Sequence, residues 1–179
     1  MNKTTKDITL VALFPALMAA TAGVSIPLGN MPAITLQTLF VYLAGLLLTP
    51  RKAALSMSIY VLLGVMGLPV FSGFRGGFGV LLGGSGGFII GFIFMAWAVA
   101  FMKNRNFLNN HFWYTTVVLI VATTGLYMIG ASYITFLTGA NYWLVLGGFY
   151  LYLVGDITKI LTAIYVHVRI RSHVTYEYS

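Results

Sequence analysis

Apolar residues run in long unbroken blocks along this chain rather than alternating with polar ones. Residues 8–23, 36–49, 53–68, 86–102, 113–138 and 143–168 each form such a block, with polar or basic residues in the gaps. A spanning strand needs apolar and polar positions to alternate, so continuous blocks predict spanning helices. A helix crosses a bilayer in about 20 residues, and 179 residues leave room for six with short connections. The expected fold is therefore all-α, a single transmembrane domain over residues 1–179. The block at 36–49 is short, so its helix is expected to tilt or extend into its flanks. The first block follows Lys3 and Lys6 and shares features with a signal peptide, although a first span is the better reading.

The connections differ in character. Residues 25–35, with Pro27, Gly29, Asn30 and Pro32 and no charge, read as a loop. Between the third and fourth spans the chain is glycine-rich: half of its 20 glycines fall between Gly67 and Gly91. This stretch contains neither Gly-x-x-x-x-Gly-Lys-Ser/Thr nor a completed Gly-x-Gly-x-x-Gly, so the chain carries no recognisable ATPase site. Irregular backbone near a membrane must be buried in protein or line a wet cavity. It is thus either a packed re-entrant connection or a wall over a ligand, and Arg75 within it favours the wall.

Composition agrees with a membrane protein. Charged residues make up 7% of the chain, against about 25% in soluble domains. The absence of cysteine excludes disulfides, thiol nucleophiles and cysteine-ligated zinc. A net charge of +7 does not point to nucleic acid, because the basic residues stand in ones and twos at span ends. With the N-terminus inside, Lys3, Lys6, Arg51, Lys52, Lys103, Arg105, Arg169 and Arg171 fall inside and Arg75 alone outside, a bias of 8:1. Both termini are then cytoplasmic. His111, His167 and His173 have no partner at metal-ligand spacing and read as interfacial, so no metal is expected. No nucleophile–base pair suggests an enzyme acting on lipid.

The chemistry concentrates in the last span. Of the three acidic residues, only Asp156 lies in mid-chain, and Lys159 follows three positions later on the same helical face. Charges inside a span are expensive and mark a functional site by default, although a purely structural pair is the alternative. Asp156 precedes Arg169 by 13 residues, which puts it roughly 20 Å above the inner anchor, in the outer half of the membrane. A cavity there would be walled by the sixth helix and capped by the glycine-rich connection. Lys159 and Arg75 suit an anionic group, Asp156 suits an N–H donor or a cation, and Phe71, Phe74, Phe149 and Tyr152 suit an apolar body. Ser72, Ser85 and Gln37 are further candidates for its polar wall. The ligand implied is a small amphipathic acid. Separately, Ala12, Ala16 and Ala20 recur every four residues in the first span, a smooth stripe suited to packing within the protein or against a partner helix.

Three runs carry a family resemblance: residues 34–48 (Ile-Thr-Leu-Gln-Thr-Leu-Phe-Val-Tyr-Leu-Ala-Gly-Leu-Leu-Leu), residues 67–83 (Gly-Leu-Pro-Val-Phe-Ser-Gly-Phe-Arg-Gly-Gly-Phe-Gly-Val-Leu-Leu-Gly) and residues 155–159 (Gly-Asp-Ile-Thr-Lys). Together they resemble the BioY family, the biotin-specific substrate-binding components of energy-coupling factor transporters. The resemblance implies six helices, biotin capture from outside a bacterial cell, no cofactor in this chain, a transmembrane coupling subunit and two ATP-binding subunits. It implies that the biotin carboxylate meets Lys159 with Arg75, that the ureido N–H groups meet Asp156, and that the alanine stripe docks the coupling subunit. The family often has Gly-Pro-Thr-Gly-Gly where this chain has Gly-Gly-Ser-Gly-Gly at 83–87, so the polar contacts near Ser72 and Ser85 differ. A transporter of biotin or another small amphipathic acid that works without partners is the alternative.

Overall fold

The computed structural model describes residues 3–29, 31–103 and 111–171; Arg105 and His173 lie outside them. In chain order the elements are α1 (Lys3–Ala20), β1 (Ser25–Leu28), β2 (Met31–Thr35), α2 (Gln37–Leu47), α3 (Pro50–Val65), α4 (Gly86–Lys103), α5 (His111–Thr138), α6 (Tyr142–Gly148) and α7 (Leu153–Arg171). A 3₁₀ turn, Phe149–Tyr152, joins α6 to α7, so the described residues form six helical rods. Three are long and apolar enough to cross a membrane: Gly86–Lys103, Phe112–Thr138 and the compound rod Tyr142–Ile170.

α4 forms the middle of the bundle, between α2 and α3 on one side and α5 on the other. Glycine lets these helices approach. A side chain on Gly91 would overlap Leu126 of α5, and one on Gly45 of α2 would overlap Val99 of α4. α1 leans on α3 through a defect of its own. Pro15 has no N–H to bond the Val11 carbonyl four residues back, and the buried Ser56 hydroxyl donates to that carbonyl at 2.7 Å.

One end of the bundle gathers basic residues. Lys52 at the start of α3 pairs with Asp7 near the start of α1 at 2.6 Å. Lys103 at the end of α4 donates to the carbonyls of Leu46 and Leu48 at 2.7 and 2.8 Å, satisfying the last turn of α2. The N-terminus of α1, the α2–α3 connection and the end of α4 therefore share one face, as the charge pattern requires.

The opposite end departs from expectation in two places. Where a loop is expected over residues 25–35, β1 and β2 pair as an antiparallel hairpin, with Ser25 opposite Thr35 and Ile26 opposite Ile34. Proline argues against interior strands, but a two-stranded ribbon has only edges, and the register shifts at Pro27, where an N–H is missing. The sixth rod is also interrupted, with helix giving way to the 3₁₀ turn just after Gly147 and Gly148. The break turns Phe149 into the core and brings the Tyr152 hydroxyl to the Pro32 carbonyl of β2.

The connection from α3 to α4 is folded rather than slack. Phe71 and Arg75 exchange backbone hydrogen bonds at 2.9 and 3.2 Å around a three-residue loop. Gly73 and Phe74 in that loop have φ of 73° and 54°. The Phe71 ring is buried edge-on against Tyr60, with ring centroids 5.5 Å apart, in a space left open by Gly64. Replacing Gly64 with alanine sets two effects against each other. Helix propensity favours alanine by roughly 1 kcal/mol, whereas a methyl group would collide with the confined Phe71 ring, and overpacking costs about 1–3 kcal/mol. Packing is expected to win, so thermal melting of Gly64→Ala in detergent should fall below wild type; a rise would mean that the loop yields freely.

Candidate functional site

α7 presents Asp156 in its first turn and Lys159 one turn further on. Both are buried, 6% and 8% exposed. The Lys159 ammonium donates to Asp156 Oδ1 at 3.1 Å and to Thr38 Oγ1 at 2.9 Å. The Tyr127 hydroxyl donates to the other carboxylate oxygen, Asp156 Oδ2. The pair thus ties α7 to α2 and α5. An ammonium has three donors, so the two contacts leave one for a ligand.

Aromatic packing fixes the donor from α5. The Tyr127 ring lies 5.2 Å from that of Phe149 and 6.2 Å from that of Tyr152, and Phe88 of α4 approaches Phe149 to 5.3 Å. On the α2 side, the Thr35 hydroxyl accepts from the backbone N–H of Gln37 at 3.3 Å, joining strand to helix where the polar residues begin. Gln37 Nε2 donates to Tyr60 Oη at 2.7 Å, and Tyr60 donates to the Val70 carbonyl at 3.1 Å.

These groups surround a cavity at the hairpin end of the bundle. Its inner chamber, of about 60 Å³, is lined by Gln37, Thr38, Phe88, Thr123, Tyr127, Tyr152, Asp156 and Lys159 among others. Pro32, Ala33, Ser72, Arg75 and Ser85 line both this chamber and a wider vestibule of about 410 Å³, making the two continuous. Small-ligand sites occupy about 300–1,000 Å³. The inner chamber alone suits a compact polar head, and the vestibule provides room for the remainder of a small molecule.

Arg75 differs from Lys159 in its surroundings. It is exposed at the mouth, and its Nε donates to the Ser72 carbonyl at 3.0 Å. Among the described residues no carboxylate pairs with it. The terminal guanidinium nitrogens therefore remain available as a fork for a planar anion.

Of the residues singled out from sequence, Asp156, Lys159, Arg75, Gln37, Ser72, Tyr152 and Ser85 all line the cavity. Phe74 does not. Phe74 is 59% exposed, and its ring packs across Gly23. Sequence reasoning passed over Thr38, Thr123, Tyr127 and Tyr60. Thr123 and Tyr127 lie four apart on one face of α5, a polar stripe within an apolar block that the sequence does display. Ala12, Ala16 and Ala20 are all exposed on α1, so nothing among the described residues covers the stripe.

A model of the BioY family matches residues 1–176. The chain is similar to the probable biotin transporter BioY of Pyrococcus horikoshii, with 36% identity over 94% of this chain and 98% of that one. It is similar also to the biotin transporter BioY of Thermotoga maritima, with 33% identity over 93% and 96% of the two chains. In fold it resembles a crystal structure of the S-component for biotin from an ECF-type ABC transporter, with a TM-score of 0.90, 25% identity and coverage of 99% and 97%.

The buried pair has a measurable consequence for the empty protein. Lys159→Met alone leaves Asp156 buried without its cation and should lower stability by about 3–5 kcal/mol. The double variant Asp156→Asn/Lys159→Met removes both charges and should recover most of that loss. Melting of the ligand-free protein in detergent compares them; equal losses would show that no uncompensated charge is created.

Proposed function

This chain belongs to the BioY family, and from that premise we propose that it captures biotin at the outer face of the membrane as the S component of an ECF-type ABC transporter. The observation that carries the reading is the buried Asp156–Lys159 pair at the floor of a cavity whose mouth holds the unpaired Arg75. Biotin has a ureido ring at one end and a carboxylate at the other. A binding role gives the buried charges a reason to exist, and no bond need be broken.

Geometry favours a particular orientation. Resemblance alone would send the carboxylate to Lys159, with Arg75 beside it. Yet Lys159 is already neutralised by Asp156, and a second carboxylate placed there would leave a net negative charge buried, at considerable desolvation cost. The ureido ring suits the neutral pair, with Asp156 accepting an N–H and Lys159 donating to the ureido oxygen. The carboxylate then reaches the vestibule, where Arg75 has no acidic partner and water still solvates the charges. Ser72 and Ser85 flank that path, and Tyr152 and Phe88 contact the apolar body.

The chain is read as crossing the membrane six times, with both termini cytoplasmic. The shared face of Asp7, Lys52 and Lys103 supports this arrangement. The hairpin and the Phe71–Arg75 loop then face outward over the cavity. ATP hydrolysis by two partner subunits, passed on through a transmembrane coupling subunit, would reorient the loaded component. The uncovered Ala12, Ala16 and Ala20 stripe is the surface offered to that coupling subunit.

Two measurements test this reading. Titration of ligand-stripped protein with biotin and with biotin methyl ester should show wild type losing roughly 10-fold or more in affinity on esterification. In Arg75→Ala esterification should no longer matter, whereas in Lys159→Met its penalty should persist; the reverse pattern would return the carboxylate to Lys159. For the docking stripe, Ala16→Trp should leave biotin affinity unchanged and abolish co-purification with the coupling and ATP-binding subunits. Normal assembly of that variant would move the partner surface elsewhere.

A further inference from the structure

Hydrogen-bond polarity determines what one wall of the cavity can offer. The Val70 carbonyl can only accept, and among the described residues its donor is Tyr60. A tyrosine hydroxyl has one hydrogen. Once that hydrogen is given to Val70, the Tyr60 oxygen can only accept from Gln37, 2.7 Å away. The Gln37 NH₂ group must therefore face Tyr60, since the opposite amide orientation would leave the buried Val70 carbonyl without its donor. The amide oxygen Oε1 is left over. Among the described residues nothing donates to it, and Gln37 lines the cavity.

We propose that Gln37 Oε1 accepts one ureido N–H of the ligand, and that Tyr60, which lies behind the wall, is the positioning residue that holds the amide in this accepting orientation. The inference rests on the biotin reading above. A ureido group displays N–H, C=O and N–H side by side, so its complement is acceptor, donor, acceptor. Asp156 and Lys159 provide one acceptor and the donor. Gln37 provides the missing acceptor, from the position next to Thr38, which itself bonds Lys159. Both α2 residues stand in the first helical turn after the hairpin, so the β2–α2 junction places the second half of the recognition pattern.

The relay also reaches the loop over the site. Val70 precedes Phe71, whose ring packs on the same Tyr60. Tyr60 thus fixes the Gln37 amide against the base of the loop that carries Ser72 and Arg75.

Two nearly isosteric ligands separate positioning from general support. They are the cyclic carbamates in which one or the other ureido N–H of biotin is replaced by a ring oxygen. Tyr60→Phe and Gln37→Met should each weaken biotin roughly 2- to 10-fold. Each should weaken to the same degree the carbamate that keeps the N–H facing Gln37, and leave unchanged the affinity for the isomer that lacks it. Equal losses on both carbamates would reduce Tyr60 to a structural residue, and undiminished biotin binding by Gln37→Met would overturn the inference. If Tyr60→Phe fails to fold, Gln37→Met makes the same discrimination. Failure of the wild-type protein to bind biotin would discard the underlying reading, whereas normal wild-type binding with indiscriminate losses discards this inference alone.

Discussion

A carboxylate and an ammonium buried side by side within a membrane protein constrain everything around them. Each would lose several kcal/mol of hydration if left alone, and their mutual attraction compensates only when the remaining donors and acceptors are also satisfied. Asp156 and Lys159 meet that condition through α2 and α5: Thr38 accepts from the ammonium and Tyr127 donates to the carboxylate. The pair therefore dictates which helices must converge. The closeness of α4 to its neighbours, set by glycines at 45, 87, 91 and 130, brings those helices within reach. The unused lone pairs and the third ammonium donor are what the cavity can present to a ligand.

The two ends of the bundle solve different problems. At the basic end, charges stitch helix termini: Lys52 to Asp7, and Lys103 to the last carbonyls of α2. At the other end irregular backbone dominates, and its polar groups are satisfied locally. The hairpin pairs with itself, the Phe71–Arg75 loop closes on itself, and the Gly73 and Gly77 amides reach the carbonyls of Ala22 and Gly64 at 2.7 and 2.6 Å. Such backbone near a bilayer is tolerated where it is packed on protein or borders water, and here it does both. Elements held by a few specific hydrogen bonds over a cavity can open at less cost than a helix can be unwound.

Much of this was legible in the sequence, and the exceptions share a cause. Continuous apolar blocks located the helices within a few residues, and the solitary mid-chain acid is one of the buried residues lining the cavity. Tyr60 and Tyr127 escaped because a tyrosine inside an apolar block looks like part of the core; only tertiary packing shows where its hydroxyl ends up. The hairpin escaped because Pro27 and Pro32 signal loops, and the special tolerance of a ribbon with two edges is a tertiary fact. Phe74, a candidate for the apolar wall, instead has its ring against Gly23 and away from the cavity, a placement that no pattern of residue types reveals.

Charge placement across the cavity follows one physical rule. Deep in the bundle the cation and anion are matched, so a neutral but strongly polar ureido ring can bind without adding net charge to a poorly hydrated space. Near the mouth stands the unmatched guanidinium, where solvent lowers the cost of keeping it ionised while the site is empty. In the proposed orientation an anionic ligand of suitable length would satisfy both regions at once: its polar head would complete the hydrogen bonds of the floor while its carboxylate neutralised the mouth. Shorter acids reach one region and leave the other unsatisfied, and esters fill the floor but leave Arg75 unpaired. In the proposed orientation, selectivity would arise from the separation between a neutral polar floor and a lone cation, more than from the strength of either contact.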